Sequence, residues 1–201
     1  MSLPQNIQLH LQNNFGITVN SQTAVSGGSI NQAVRLATDR GDLFLKFNNQ
    51  APDDFFRKEA KGLSLLREAD SGVRLPETIA VQDNANGSPG FLLMEYIEPN
   101  SSGDAEAFGT ELARLHQTQG ETFGLDEDNY IGSLPQSNRQ HDDWTTFFDE
   151  ERIRPQLKMA IESGKIGSSA LSQWDSIVKK LPDLLPATKP SLVDGDLWSG
   201  N

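Results

Sequence analysis

The stretch Ser191 to Asn201, SLVDGDLWSGN, sets Asp196 and Asn201 five positions apart, with Gly195 and Gly200 beside them. At that spacing an aspartate can take the proton of an acceptor hydroxyl while an asparagine oxygen holds Mg²⁺, the two tasks of a phosphoryl-transfer loop. Many Asp/Gly-rich turns share the spacing, so its meaning depends on what the rest of the chain supplies.

A second pair answers to the same chemistry. Lys46 sits inside the apolar run Leu43-Phe44-Leu45-Lys46-Phe47. Glu59 falls on the stripe formed by Phe56, Leu63 and Leu66 in the following helical segment, whereas Arg57, Lys58 and Lys61 point elsewhere. A carboxylate facing a core is costly unless it is paired, and Lys46 is the partner at hand. A strand lysine braced by a helix glutamate holds a cation against the α- and β-phosphates of a nucleotide. Taken singly, Lys46 could snorkel to solvent and Glu59 could sit at the edge of the stripe. Their order and spacing favour the pair.

Two further segments fit a nucleotide site without requiring one. Ser26-Gly27-Gly28-Ser29 has neither the G-x-G-x-x-G pattern nor a Gly-Lys-Ser/Thr ending. Gly27, Gly28 and Ser29 could bring backbone N–H groups close to an anion, and a plain hairpin turn suits them equally. The apolar strand ending at Met94 runs into Glu95, Tyr96 and Ile97. Backbone groups of Met94 to Ile97 could meet adenine there, although an ordinary buried strand uses the same residues.

Other chemistries lack their residues. His10, His116 and His141 are scattered, with no H-x-x-x-H pair for zinc. Asp126-Glu127-Asp128 and Asp194-Gly195-Asp196 miss the register and closing glutamate of a calcium loop. There is no G-x-S-x-G. The chain has no cysteine, which removes thiolate nucleophiles and disulfides and fits a reducing cytoplasm.

The elements that must position these residues divide the chain in two. Leu3, Ile7, Leu11 and Phe15 predict a short amphipathic helix stopped by Gly16. Three antiparallel strands are expected in 17–25, 30–38 and 43–47, a helix over 53–69, and two more strands in 78–82 and 90–96. The polar stretch PNSSGD reads as a linker. Beyond it Asp104 can cap a helix whose Phe108, Leu112 and Leu115 share one face; a long loop covers 123–142, and helices follow at 143–162 and 168–181. This is an α+β plan with a β-rich lobe over 1–97 and a mostly helical lobe over 98–201.

At 201 residues the chain is long enough to bury a core. A net charge of −11 repels phosphate backbones and anionic membranes, which argues against nucleic acid as a partner and requires local cations and Mg²⁺ wherever ATP binds. No apolar run approaches a membrane span, and the start MSLPQNIQLHLQNN lacks the basic opening of a signal peptide. Nothing in the sequence indicates an oligomeric state.

Across essentially its whole length the sequence resembles the fructosamine kinase and ketosamine-3-kinase-like family, relatives of aminoglycoside and choline phosphotransferases. The blocks that carry the resemblance are VSGGSINQAVRL, LFLKFN, FRKEAKGLSLL, FLLMEYIE, DNYIGSLPQSN, DDWTTFFDEERIRPQL and DGDLWSGN. The combination of DNYIG..PQ with DW..FF.E.R, followed by GDLWSGN, is what separates this family from the antibiotic kinases. The resemblance implies a protein-kinase-like fold and ATP-dependent phosphorylation of a sugar hydroxyl on a ketosamine, free or on a glycated lysine of a protein. It implies phosphate binding by Lys46, bracing by Glu59, adenine contacts from Glu95 to Ile97, Asp196 as base and Asn201 as magnesium ligand. Asp194 stands where the family usually has His. The family pattern also continues past Asn201, to a second magnesium-binding Asp and further helices, so the C-lobe is expected to be incomplete. Phosphorylation of another amino alcohol or an aminoglycoside, or a non-catalytic nucleotide- or protein-binding module, are the alternatives.

Overall fold

Along Gln32–Thr38 and Gly41–Asn48 every second residue is withdrawn from water: Val34 and Leu36 in the first, Leu43, Leu45 and Phe47 in the second. A period of two is what a strand shows when one of its faces lies on a core. The computed structural model describes residues 3–25, 30–84, 88–99 and 103–197. It forms a five-stranded antiparallel sheet from β1 (Val19–Ala24), β2 (Gln32–Thr38), β3 (Gly41–Asn48), β4 (Thr78–Gln82) and β5 (Gly90–Glu95), in the order β1-β2-β3-β5-β4.

Helix α1 (Gln5–Phe15) covers one face, where Ile7 and Leu11 join Leu36, Leu45, Phe91 and Leu93 in the core. Full burial of each such side chain is worth roughly 1.5–3 kcal/mol. Gly16 ends the helix as expected. Its φ of +63° lies in the left-handed region, which lets Gly16 N–H reach Gln12 O and Ile17 N–H reach Leu11 O.

The opposite face carries the alternate residues of the same strands, Phe44 and Lys46 of β3 and Leu92 and Met94 of β5. Helix α2 (Phe55–Glu68) packs on β4 and β5, with Phe55 and Phe56 buried in its first turn. It begins at Phe55 rather than at residue 53; Asp54 sits just ahead of it and pairs with Lys58 at 2.9 Å. Helix α3 (Ala105–His116) is capped as anticipated: Asp104 Oδ1 accepts from the N–H groups of Glu106 (2.9 Å) and Ala107 (3.0 Å). On the face shared by Phe108, Leu112 and Leu115, Leu115 is buried, but Phe108 is 42% exposed.

The chain falls into two compact units, residues 1–115 with 194–201, and residues 116–193. The first 11 residues of α3, assigned to the second lobe by the sequence reading, therefore group with the sheet. In the second unit, the expected loop 123–142 contains a small hairpin, β6 (Asn129–Ile131) and β7 (Leu134–Gln136). The expected helix 143–162 is a continuous run in three parts. These are α4 (Trp144–Phe147), a π-helical stretch Phe148–Ile153 and α5 (Arg154–Glu162). The last helical segment divides into α6 (Ser169–Val178) and α7 (Leu181–Leu184). Among the described residues no helix is long and apolar enough to cross a membrane.

Candidate active site

Lys46 lies opposite Ala33 of β2 and Leu92 of β5, so apolar neighbours flank its stem on both sides. Its Nζ donates to Glu59 Oε1 at 2.7 Å. The two side chains are 33% and 27% exposed, so this is a half-buried pair in contact with solvent. An ammonium carries three donors and the Glu59 oxygen takes one, which leaves the group chemically able to meet an anion. The pair forms because the period-two pattern of β3 points Lys46 to the face that α2 covers, and the helical stripe of α2 turns Glu59 toward it.

At the end of β5, Met94 is buried, Glu95 and Tyr96 are half-buried and Ile97 is 37% exposed. Glu95 N–H donates to Glu77 O at 2.8 Å. That donor is engaged within the protein, so any base recognition at Glu95 falls to its carbonyl. The Glu95 side chain pairs with Arg74 and also accepts from Glu77 N–H at 3.4 Å.

Asp196 is exposed, and its N–H donates to Asp194 Oδ1 at 3.2 Å. Asp194 thereby forms a side-chain-to-backbone turn over Gly195, whose φ of +89° suits glycine. Asp194 thus shapes the turn that presents Asp196. Gly27, Gly28, Ser29 and Asn201 lie outside the described residues.

The second unit contains a buried polar network that sequence reasoning missed. Asn138, 1% exposed, donates from Nδ2 to Glu127 O (3.0 Å) and Asn129 Oδ1 (2.9 Å), and its Oδ1 accepts from Arg152 Nη2 (2.6 Å). Asn138 N–H donates to Asp128 Oδ1 at 2.8 Å, and Gln136 Nε2 to Asn129 Oδ1 at 3.0 Å. Arg152 also lies over the Phe147 ring, 4.4 Å from its centre. Much of the DNYIG..PQ block is therefore engaged in locking the segment between β6 and α4. Beside it, buried Glu151 accepts from Arg139 Nε at 3.0 Å and meets His141 Nε2 at 2.8 Å. His141, Glu150 and Glu151 come close enough to ligate one cation, but Arg139 pairs with both carboxylates and already supplies the positive charge there. The signal for this site was available. Trp144, Phe147, Phe148 and Glu151 share one helical stripe, the same carboxylate-on-an-apolar-face pattern that marks Glu59.

The sheet-plus-helix architecture defines the chain as protein-kinase-like. A crystal structure of an aminoglycoside phosphotransferase, 14% identical, superposes with a TM-score of 0.53 over 92% of this chain and 62% of its own, a likeness of fold. The fructosamine kinase family model matches residues 2–201, and the chain belongs to that family. A structure from Thermobifida fusca YX-ER1, whose name includes fructosamine-3-kinase, is 27% identical with a TM-score of 0.82, covering 99% of this chain and 69% of its own. An Enterococcus faecium protein named "Probable ketoamine kinase" is 35% identical over 179 residues, covering 88% of this chain and 62% of the relative. The chloroplastic protein-ribulosamine 3-kinase of Arabidopsis thaliana is 35% identical over 185 residues, 89% of this chain and 55% of the relative. The chain thus spans between about half and two thirds of the length of these curated relatives.

Proposed function

We propose that the protein acts as an ATP-dependent kinase on ketosamines, transferring the γ-phosphoryl group to a sugar hydroxyl of a fructosamine- or ribulosamine-type adduct. Such adducts form on free amines and on lysines of glycated proteins, so the role is repair by deglycation. The observation that carries this reading is the Lys46–Glu59 ion pair at 2.7 Å on the sheet face opposite α1, in a chain of the fructosamine kinase family.

Lys46, held by Glu59, neutralises phosphate charge, and the segment from Met94 to Ile97 takes the adenine. Gly27, Gly28 and Ser29 are assigned to the phosphates, Asn201 to Mg²⁺ and Asp196 to the acceptor hydroxyl. The hydroxyl oxygen forms a new bond to phosphorus as the bond to the ADP oxygen breaks, and the proton passes to the Asp196 carboxylate. Bound Mg²⁺ supplies further positive charge for the phosphates. The chain's own part is positioning and electrostatic stabilisation. With its absence of cysteine the chain suits a reducing cytoplasm, the compartment assigned to it.

The test is a panel of fructosyl-lysine, ribulosyl-lysine, choline and an aminoglycoside, each with ATP and Mg²⁺, read by ADP release and product mass. Phosphorylated ketosamine is the expected product. Turnover of choline or the aminoglycoside alone would overturn the substrate assignment.

A further inference from the structure

The hydrogen-bonded ladder of β5 ends at Glu95, so the backbone just beyond it must be held by something other than strand pairing. Arg35 of β2 reaches that segment. In the sheet, Arg35 lies opposite Phe44, which lies opposite Met94, so the three form a row on the face that carries Lys46. Tyr96 is the next residue of that face beyond Met94. The Arg35 guanidinium carbon sits 4.4 Å from the centre of the Tyr96 ring, Nε donates to Asp42 Oδ2 at 3.0 Å, and Nη1 lies 3.5 Å from Glu98 Oε2. One planar cation therefore joins two strands of the sheet to two residues of the segment that leaves it.

We propose that Arg35 is a positioning residue for the nucleotide base, clamping Tyr96 and Glu98 so that the backbone of the Met94–Ile97 segment stays in place to receive adenine. The inference rests on the proposed nucleotide site. Arg35, Asp42 and Glu98 are 38%, 36% and 71% exposed, and ion pairs so exposed add little to global stability. The consequence of the arrangement is therefore local, in where it holds the chain. Arginine suits the task and lysine does not, because only a flat guanidinium can stack on a ring while its edge binds carboxylates. Asp42 sets the direction of the guanidinium, so the clamp is pre-formed rather than assembled by the ligand.

The experiment titrates the protein with ATP·Mg²⁺, with adenosine and with tripolyphosphate·Mg²⁺, beside Arg35→Ala, Arg35→Lys and Lys46→Met. Adenosine is uncharged, so its binding does not report the simple loss of a cation from an acidic chain. Arg35→Ala is expected to weaken ATP and adenosine alike by about tenfold and to leave tripolyphosphate within about twofold. Arg35→Lys keeps the charge but loses the stacking plane, and should recover only part of that affinity. Lys46→Met should show the reverse selectivity, weakening ATP and tripolyphosphate and sparing adenosine. Unchanged adenosine affinity in Arg35→Ala overturns the proposal even where the melting temperature falls, because a merely structural role predicts that result. Equal weakening of tripolyphosphate, or full recovery in Arg35→Lys, overturns it as well, since charge alone would then suffice. A protein that binds neither ATP nor adenosine loses the nucleotide site and the clamp together. The expected Lys46→Met result with an inert Arg35→Ala removes the clamp alone.

Discussion

His141 Nε2 lies 2.8 Å from Glu151 Oε1, and Arg139 Nε donates to the same oxygen at 3.0 Å. The carboxylate is buried, with its side chain 4% exposed, inside the π-helical stretch of the long helical run. Burial pushes its carboxyl up, but hydrogen bonds involving Ser137, His141 and Arg139, with the Arg139 charge, outweigh burial and hold it below the ordinary value of 4.5. A depressed folded value means that this stabilisation is present above pH 4.5 and is lost as pH falls through the folded value. Glu151→Gln should be less stable than the native protein at pH 7 by about 1–3 kcal/mol, and the gap should narrow steadily below about pH 4.5. Urea unfolding midpoints at several pH values measure it; a gap independent of pH would remove Glu151 from the acid response.

Gly124 makes a second prediction about the same unit. Its φ is +117°, and a Cβ built on it would stand 2.5 Å from Asn138 O and 2.9 Å from Arg139 O. Both neighbours are backbone atoms of the segment pinned by the Asn138 network, so they cannot swing aside as a flexible side chain would. Gly124→Ala should destabilise the protein by about 2–4 kcal/mol through backbone strain and overpacking together. Thermal unfolding measures this, and a melting temperature within a degree of the native one would show that the segment yields.

How much of this was legible in advance depended on whether the signal was periodic. Strands β2 and β3 announce themselves by alternation and α2 by a helical stripe, and the Lys46–Glu59 pairing follows from one charged residue placed on each pattern. The β6–β7 hairpin has strands of three residues, too short for alternation to register, and Pro135 inside β7 reads as a strand breaker. The π-helical stretch Phe148–Ile153 has no composition of its own to announce it. His141 looked isolated because its partner is ten residues on, and spacing rules for metal motifs do not search for an acid on a helix. Phe108 shares a stripe with Leu112 and Leu115 yet is 42% exposed, because a stripe gives a direction but does not say whether another element covers it.

The Lys46–Glu59 pair predicts coupling. In the protein assayed with ATP and a ketosamine, Lys46→Met should lower kcat/KM by at least about a hundredfold while changing stability by less than about 1 kcal/mol, as expected for a half-exposed ion pair. Glu59→Gln should act in the same direction more weakly, because it leaves the cation but frees its position. The double mutant should resemble Lys46→Met alone rather than the product of the two losses, since a brace has nothing to hold once the lysine is gone. Independent, additive losses would mean that the 2.7 Å contact is incidental to catalysis.

Asp196 and Asp194 are separable by the kind of contact each makes. Asp196 is the proposed base, and its N–H is held by Asp194 Oδ1 at 3.2 Å across Gly195. Asp196→Asn keeps size and shape but removes the carboxylate that receives the proton. Phosphoryl transfer should therefore fall by at least about a hundredfold with ATP affinity nearly unchanged, because the nucleotide contacts are assigned to the sheet and the segment after β5. Asp194 acts through geometry and needs only an acceptor. Asp194→Asn keeps an acceptor oxygen and should retain most of the activity. Asp194→Ala leaves the Asp196 N–H without this partner and should lower kcat severalfold, with little effect on KM for ATP. Asp194→His, which installs the residue implied at this position by the family resemblance, should leave kcat equal or higher. The decisive comparison is the two Asn variants assayed side by side for phosphoketosamine formation. If Asp194→Asn destroyed activity and Asp196→Asn did not, the roles would be exchanged: a turn-shaping carboxylate survives amidation, and a proton acceptor does not.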